Sequence, residues 1–411
     1  MAQGAHILDG VRVLDFTQVL AGPTTTRLMA EMGAEVIKVE LAPGGDGGRY
    51  MPYLRNGRSG YFIQQNRGKR SLCVNRKDER AIALLRALVG KVDVMVENFA
   101  PGAIERMGFG WDAVSAINPR LIMASVSAFG QTGTLASLPG YDYIAAAYAG
   151  VLDMIGEPDG PPYFATVGIG DVMTGVHALA AINGALFHRE RTGRGQHVST
   201  SLLEAYFHCH EINVHAYSAS GGAVQPRRSG SHHYAGAPCG MYKVGEGYVF
   251  IVCLDNQWPN MCEAMGRPEL AADPRFASNG ARVANREMVN GLIDGYLAQF
   301  KTPYEASEAM AVARVPVAPI LSVAEAMHHP HLIDNHIVRM IDDPVYGSFQ
   351  VPGMPLHFSD DPGGLVLTAE YLGQSNGAVL REFLGMSDGD ISGLERDGVL
   401  VAKPDLDLAT A

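Results

Sequence analysis

One acid stands apart from its surroundings in this chain. In the stretch TVGIGDVMTGVHALAAINGALFHRE, Asp171 follows Gly168 and Gly170 and opens an apolar run of helical character. A carboxylate there has two readings. It caps free amides of the first turn, the commoner role for an isolated Gly-Asp pair. Alternatively it is a nucleophile toward an acyl group, with the glycines leaving room for substrate and nearby amides holding a developing oxyanion. The helix dipole favours the ionised carboxylate by about 0.3–1 kcal/mol, and that is the form able to attack a carbonyl.

A second set of residues is cationic in a chain that is acidic overall, with 32 Lys and Arg against 43 Asp and Glu and a net charge of −11. That balance argues against a general nucleic-acid binder or a basic membrane-surface protein; an anion is held only by a local basic cluster. NRGKR gathers Arg67, Lys69 and Arg70 in one short loop before a strand, Lys38 reads as the end of the second strand, and Arg106 follows ENFAPGAIE. Each alone is ordinary solvated charge. Several at the ligand edge of one sheet point to a phosphorylated ligand.

Other chemistries are disfavoured by their missing motifs. The first strand is not followed by Gly-x-Gly-x-x-Gly, GFGWDA follows a helix instead of a strand, and neither Walker A nor Gly-x-Ser-x-Gly occurs. His208 and His210 are two apart, so a helix points them to different sides, and HHPH at 328–331 lacks accompanying ligand spacing. No metal and no resident cofactor are expected.

The elements that must position these residues are legible from the alternation of patterns. VRVLDF, EVIKVEL, RSLCVN, DVMVENF and RLIMASVSAFG are strand-like, and helical segments such as GPTTTRLMAEMGA and DERAIALLRALVG separate them. Strand, crossover, strand predicts an α/β fold with a doubly wound parallel sheet, whose ligands lie beyond the carboxyl ends of the strands. Those loops are TQVLAGP, LAPGGDGGR, ENFAPG and SAFGQTG. Helices are expected near 141–155 and 172–190. SGGAVQPRRSGSHHYAGAPCG marks a boundary. Beyond it MYKVGEGYVFIVC reads as a hairpin opening a small α+β domain, then come a strand, a helix pair and a frayed KPDLDLATA.

With 411 residues, 47% hydrophobic and 18% charged, the chain suits two buried globular domains. Cys73, Cys209, Cys239, Cys253 and Cys262 are odd in number and scattered, which suggests free thiols in a reducing compartment. No basic start precedes an apolar block and no uncharged apolar run approaches spanning length, so a soluble, cytoplasmic protein is expected, with no membrane partner.

Taken in order, the motifs ILDGVRVLDFTQVLAGPTTTRLMAEMGAEVIKVE, NRGKRSL, ENFAPGAIERMG, NPRLIMASVSAFGQTG, PGYDYIAAAYAG, GDVMTG, GRGQHVSTSLLEA and DNQW resemble the class III CoA-transferases, the CaiB/BaiF family, over essentially the whole chain. The resemblance implies a large domain built from 1–220 and 331–411, a small domain over 221–330, and a homodimer of interlocked rings. It implies acyl-CoA and a carboxylic acid as substrates, coenzyme A passing between them. It places Asp171 on the family's catalytic aspartate, which forms a mixed anhydride with the acyl group, and Gln18 on a glutamine that positions that group. Tyr141 and Asp142 border the reacting centre. Lys38, Asn66, Arg67, Lys69, Asn98, Phe99 and Arg106 fall on positions that hold CoA.

Two alternatives stay open beside transfer. One is an isomerase like the family's α-methylacyl-CoA racemases, whose His/Asp pair would need a histidine where this chain has Tyr141, a poor base near neutrality. The other is a non-catalytic acyl-CoA-binding protein. The region matching the all-glycine loop of formyl-CoA:oxalate transferases reads VCLDNQWPN, without a glycine run. Arg227 and Arg228 offer guanidinium groups for a substrate carboxylate or are linker charge, and donor and acceptor are left open.

Overall fold

The computed structural model describes residues 6–365 and 367–403. Two compact units make up the chain: a large one drawn from the chain up to Ala149, Thr166–Cys209 and the chain from Pro330 onward, and a small one of Gly150–Ala165 and His210–His329. Both ends of the chain therefore build the large unit.

Its centre is a six-stranded sheet of β1 (Arg12–Asp15), β2 (Glu35–Leu41), β3 (Lys69–Val74), β4 (Val94–Glu97), β5 (Ile122–Ser127) and β6 (Gln196–Ser201). The order is β3-β2-β1-β4-β5-β6 and every pairing is parallel. Apolar runs such as VMV suit strands covered on both faces. One face packs Leu14, Ile37, Leu72 and Met95 against Val379, Leu380, Phe383 and Ile391, which the C-terminal helices Asn376–Leu384 and Asp388–Arg396 bring back to the sheet. The other face packs Val13, Val36 and Val94 with Leu28, Leu179 and Ile182. Strand order reverses between β1 and β4, so the loops after those strands flank the crevice where such sheets bind ligands.

Four helices frame that crevice: α1 (Ala21–Glu31), α2 (Asp142–Tyr148), α3 (Ile169–Thr192) and α4 (Leu202–His208). The helix expected to run to 155 stops at Tyr148; Gly150 takes φ +80° and a separate 3-10 turn covers Leu152–Met154. α3 packs on α1 through small residues, and a Cβ at Gly175 would lie 2.6 Å from the Ala21 carbonyl oxygen, so only glycine permits this approach. By length and composition α3 is apolar enough to cross a membrane. Here Thr174, Ala178, Leu179, Ile182 and Ala185 are buried in the unit, while Val172, Val176 and Phe187 are exposed.

The small unit has an antiparallel sheet of Cys239–Val244, Gly247–Val252 and Val317–Pro319 over a core containing Val249, Ile251, Trp258 and Ile293. The expected Gly-Glu-Gly turn joins its first two strands, with Gly245 at φ +58°. All five cysteines are free. Of KPDLDLATA, all after Lys403 lies outside the described residues.

Candidate active site

A cavity of about 300 Å³ opens at the carboxyl ends of β1, β4 and β5, lined by Gln18, Leu20, Asn98, Ser127, Gly140, Tyr141, Asp171 and Leu202 among others. Four residues expected at the reacting centre or its CoA edge, Gln18, Asn98, Tyr141 and Asp171, thus meet at one place. The loops after β1 and β4 are locked together there. The Gln18 N–H donates to Asn98 Oδ1 at 2.7 Å, and Asn98 Nδ2 donates to the Gln18 carbonyl at 2.9 Å.

Asp171 does not cap its helix. The N-cap of α3 is Gly168, with no side-chain cap bond, and Asp171 sits in the first turn. Asp142 supplies an acceptor instead: its Oδ2 takes the Asp171 N–H at 3.0 Å, while its Oδ1 takes the Tyr206 hydroxyl hydrogen. Among the described residues the Asp171 carboxylate itself accepts no hydrogen bond. Burial and then the Asp142 charge push its pKa up to about 7. The ionised form that the helix dipole was expected to favour is therefore outweighed: removing a charge from water acts more strongly than a dipole worth about 0.3–1 kcal/mol.

The basic residues divide into two kinds. Lys38 lies mid-strand in β2, not at its end; it forms an ion pair with Asp46 Oδ2 and donates to the Thr17 carbonyl, both at 2.8 Å. Arg67 and Lys69 stand before and at the start of β3, at the amino edge of a parallel strand, so NRGKR is not a ligand-edge loop. Arg67 pairs with Glu31 at 2.8 Å; Lys69 pairs with Asp15 at 3.0 Å and donates to Asn66 Oδ1 at 2.9 Å. The side chains of Lys38, Asn66, Arg67 and Lys69 are all buried. Burial pulls the Lys69 ammonium down to about 8 despite Asp15. These ions brace the loop that carries Gln18: Asp46, held by Lys38, also accepts the Val19 N–H at 3.0 Å. Val19 adopts φ +67°, a strained conformation for a β-branched residue that persists only where neighbours over-determine it.

Arg106 is of the other kind. With Arg76, Phe99, Leu41, Ala42 and Met107 it lines a separate cavity of about 460 Å³ beyond the ends of β2 and β3. Both arginines are exposed and, among the described residues, neither has an ion-pair partner. Arg76 went unnoticed in the sequence although it follows a strand, because NRKDER reads as a helix start. Tyr206 had no signal at all. In the small unit, Arg228 is committed to Asp153 and to the Glu157 and Gly160 carbonyls, while Arg227 is exposed. The CLDNQW turn is tied down: Gln257 Oε1 accepts the Leu254 N–H at 2.9 Å, and Asp255 pairs with Arg282 at 2.6 Å.

The model of CoA-transferase family III matches residues 8–376. The chain belongs to that family. It is 36% identical to a formyl-CoA:oxalate CoA-transferase of Streptomyces coelicolor, covering 96% of this chain and 100% of the relative. It is 37% identical to a succinyl-CoA:mesaconate CoA-transferase of Haloarcula marismortui, covering 87% and 92%. A crystal structure of a CaiB/BaiF family protein from Brucella suis superposes with a TM-score of 0.79 at 34% identity, covering 93% of this chain and all of that one. The α/β fold, with a parallel-sheet unit from both chain ends and a smaller α+β unit, is the one this family shares.

Proposed function

We propose that this chain moves coenzyme A from an acyl-CoA thioester to a carboxylic acid, and that Asp171 takes up the acyl group as a mixed anhydride. The observation that carries the reading is the Asp171 carboxylate, facing the switch-point cavity with no hydrogen bond of its own. In the first step a carboxylate oxygen of Asp171 attacks the thioester carbonyl, a C–O bond forms, the C–S bond breaks, and coenzyme A leaves as its thiolate. A carboxylate raised to about 7 is more basic than a solvated one yet still largely ionised just above neutrality, the balance a nucleophile needs.

The phosphates of coenzyme A are assigned to Arg76 and Arg106, with Phe99 lining the same cavity, because an unpaired guanidinium is free to take an anion. Lys38, Arg67 and Lys69 act from below, holding the walls of the site through their buried carboxylate partners. The acceptor acid is not chosen by the relatives: those named for oxalate and for mesaconate are about equally similar.

Hydroxylamine added during turnover tests the anhydride. It should inactivate the enzyme only when an acyl-CoA is present and leave a hydroxamate on Asp171, read as a small mass change on the peptide GIGDVMTG. A panel of acyl-CoA thioesters supplies the donor. A modified cysteine, or no donor-dependent adduct, would remove Asp171 from the chemistry.

We also infer a homodimer. The exposed apolar side chains of α3, with Phe187 65% exposed, form a face that a second copy would cover. Light scattering in native buffer should give twice the chain mass down to nanomolar concentration. An active monomer would refute this.

A further inference from the structure

An acceptor from outside α3 occupies an amide of its first turn. The Tyr206 ring on α4 packs against Gly170, so close that a Cβ there would sit 2.2 Å from Cε2. Its hydroxyl donates to Asp142 Oδ1. Asp142 Oδ2, in turn, accepts the Asp171 N–H. Both Tyr206 and Asp142 are buried. The Asp171 amide is thus held by a neighbouring carboxylate, and its own side chain is left without a hydrogen bond among the described residues.

From this arrangement we infer that Tyr206 is a positioning residue, whose hydroxyl fixes Asp142 against the Asp171 amide and so holds the Asp171 carboxylate where it can meet the acyl group. The inference rests on the reading of Asp171 as the nucleophile. Tyr206 touches no reacting atom; it acts through Asp142. Its position, 35 residues after Asp171 and on another helix, belongs to this packing and to none of the motifs that identify the family.

The ionisable groups facing Asp171 are Asp142 from α2, Tyr206 from α4 and Tyr61 from the helix Gly60–Asn66, whose phenol is pushed up to about 12 by burial, Asp171 and Asp46. Removing the Tyr206 hydroxyl changes one of these influences. Asp142 loses the donor that holds it beside the Asp171 amide, moves away and repels Asp171 less. That lowers the pKa of Asp171 and makes its carboxylate a weaker nucleophile.

The test is Tyr206→Phe, which keeps the ring against Gly170. Donor-dependent formation of the Asp171 hydroxamate is timed from pH 5 to 9 in wild type and variant, beside KM for the acyl-CoA and thermal unfolding. The plateau rate should fall roughly 10–100-fold, its acid limb should move to lower pH by about half to one unit, and KM should stay within about threefold. An unchanged rate and profile would overturn the inference. So would a loss that is uniform with pH, since that is what packing alone would give. If wild type itself forms no adduct on Asp171, the proposed nucleophile is what fails, and the two failures are told apart.

Discussion

Asp171→Asn is expected to abolish acyl transfer and to make the protein more stable at pH 8. The loss should reach about 10³-fold or more, since the amide cannot form the anhydride, the mechanism's only covalent link. Coenzyme A affinity should be kept, because the arginine-lined cavity is untouched. The stability gain follows from the sign of the pKa shift. In the folded state Asp171 titrates at about 7, raised from 3.8 by burial and Asp142. Between those values the folded protein holds a proton that the unfolded chain releases, so stability falls as pH rises from about 4 through 7. At pH 8 the whole loss is present. Three pKa units would amount to roughly 4 kcal/mol; solvent at the cavity mouth reduces this, and a gain of about 1–2 kcal/mol is expected. Urea unfolding at pH 8 and pH 5 gives the answer, with the larger gain at pH 8. A folded variant within a few-fold of wild-type activity would end the nucleophile reading, and an equal gain at both pH values would end the electrostatic one.

How far the sequence reached differs between sheet and site for a physical reason. Parallel strands covered on both faces are largely apolar, so VMV and LIMA announce themselves, and the glycines around Asp171 mark a close approach that few other contexts need. Charged residues carry no such mark. Lys38, Arg67 and Lys69 read as ligand groups because their sequence neighbours do not reveal Asp46, Glu31 and Asp15, which the fold brings to them from 8, 36 and 54 residues away. Arg76 and Tyr206 were missed from opposite directions. The former lies at a strand's carboxyl end, where the ligand rule applies, but inside a motif that resembles a helix start. The latter becomes functional only when α4 packs on α3. Local pattern decides elements; pairing decides which charges are left over for a ligand.

The leftover charges give the second large effect. Replacing Arg76 and Arg106 together by alanine should raise KM for an acyl-CoA by about 100-fold and leave kcat within a few-fold. Each guanidinium–phosphate contact is a charge-assisted hydrogen bond worth about 1.5–3 kcal/mol, and two of them at the low end already sum to the two powers of ten expected. Both side chains are exposed and unpaired, so their removal strands no buried partner and the fold should be unaffected. Salt provides an independent reading: wild-type affinity should weaken as ionic strength rises, and that of the double variant should hardly respond. The decisive control is a thioester that ends at pantetheine and carries no phosphate. With it, wild type and double variant should be equally poor. If the variant were impaired on the truncated thioester to the same degree as on the full one, the arginines would be shaping the site and not holding the phosphates. The 460 Å³ cavity between them would then need another occupant.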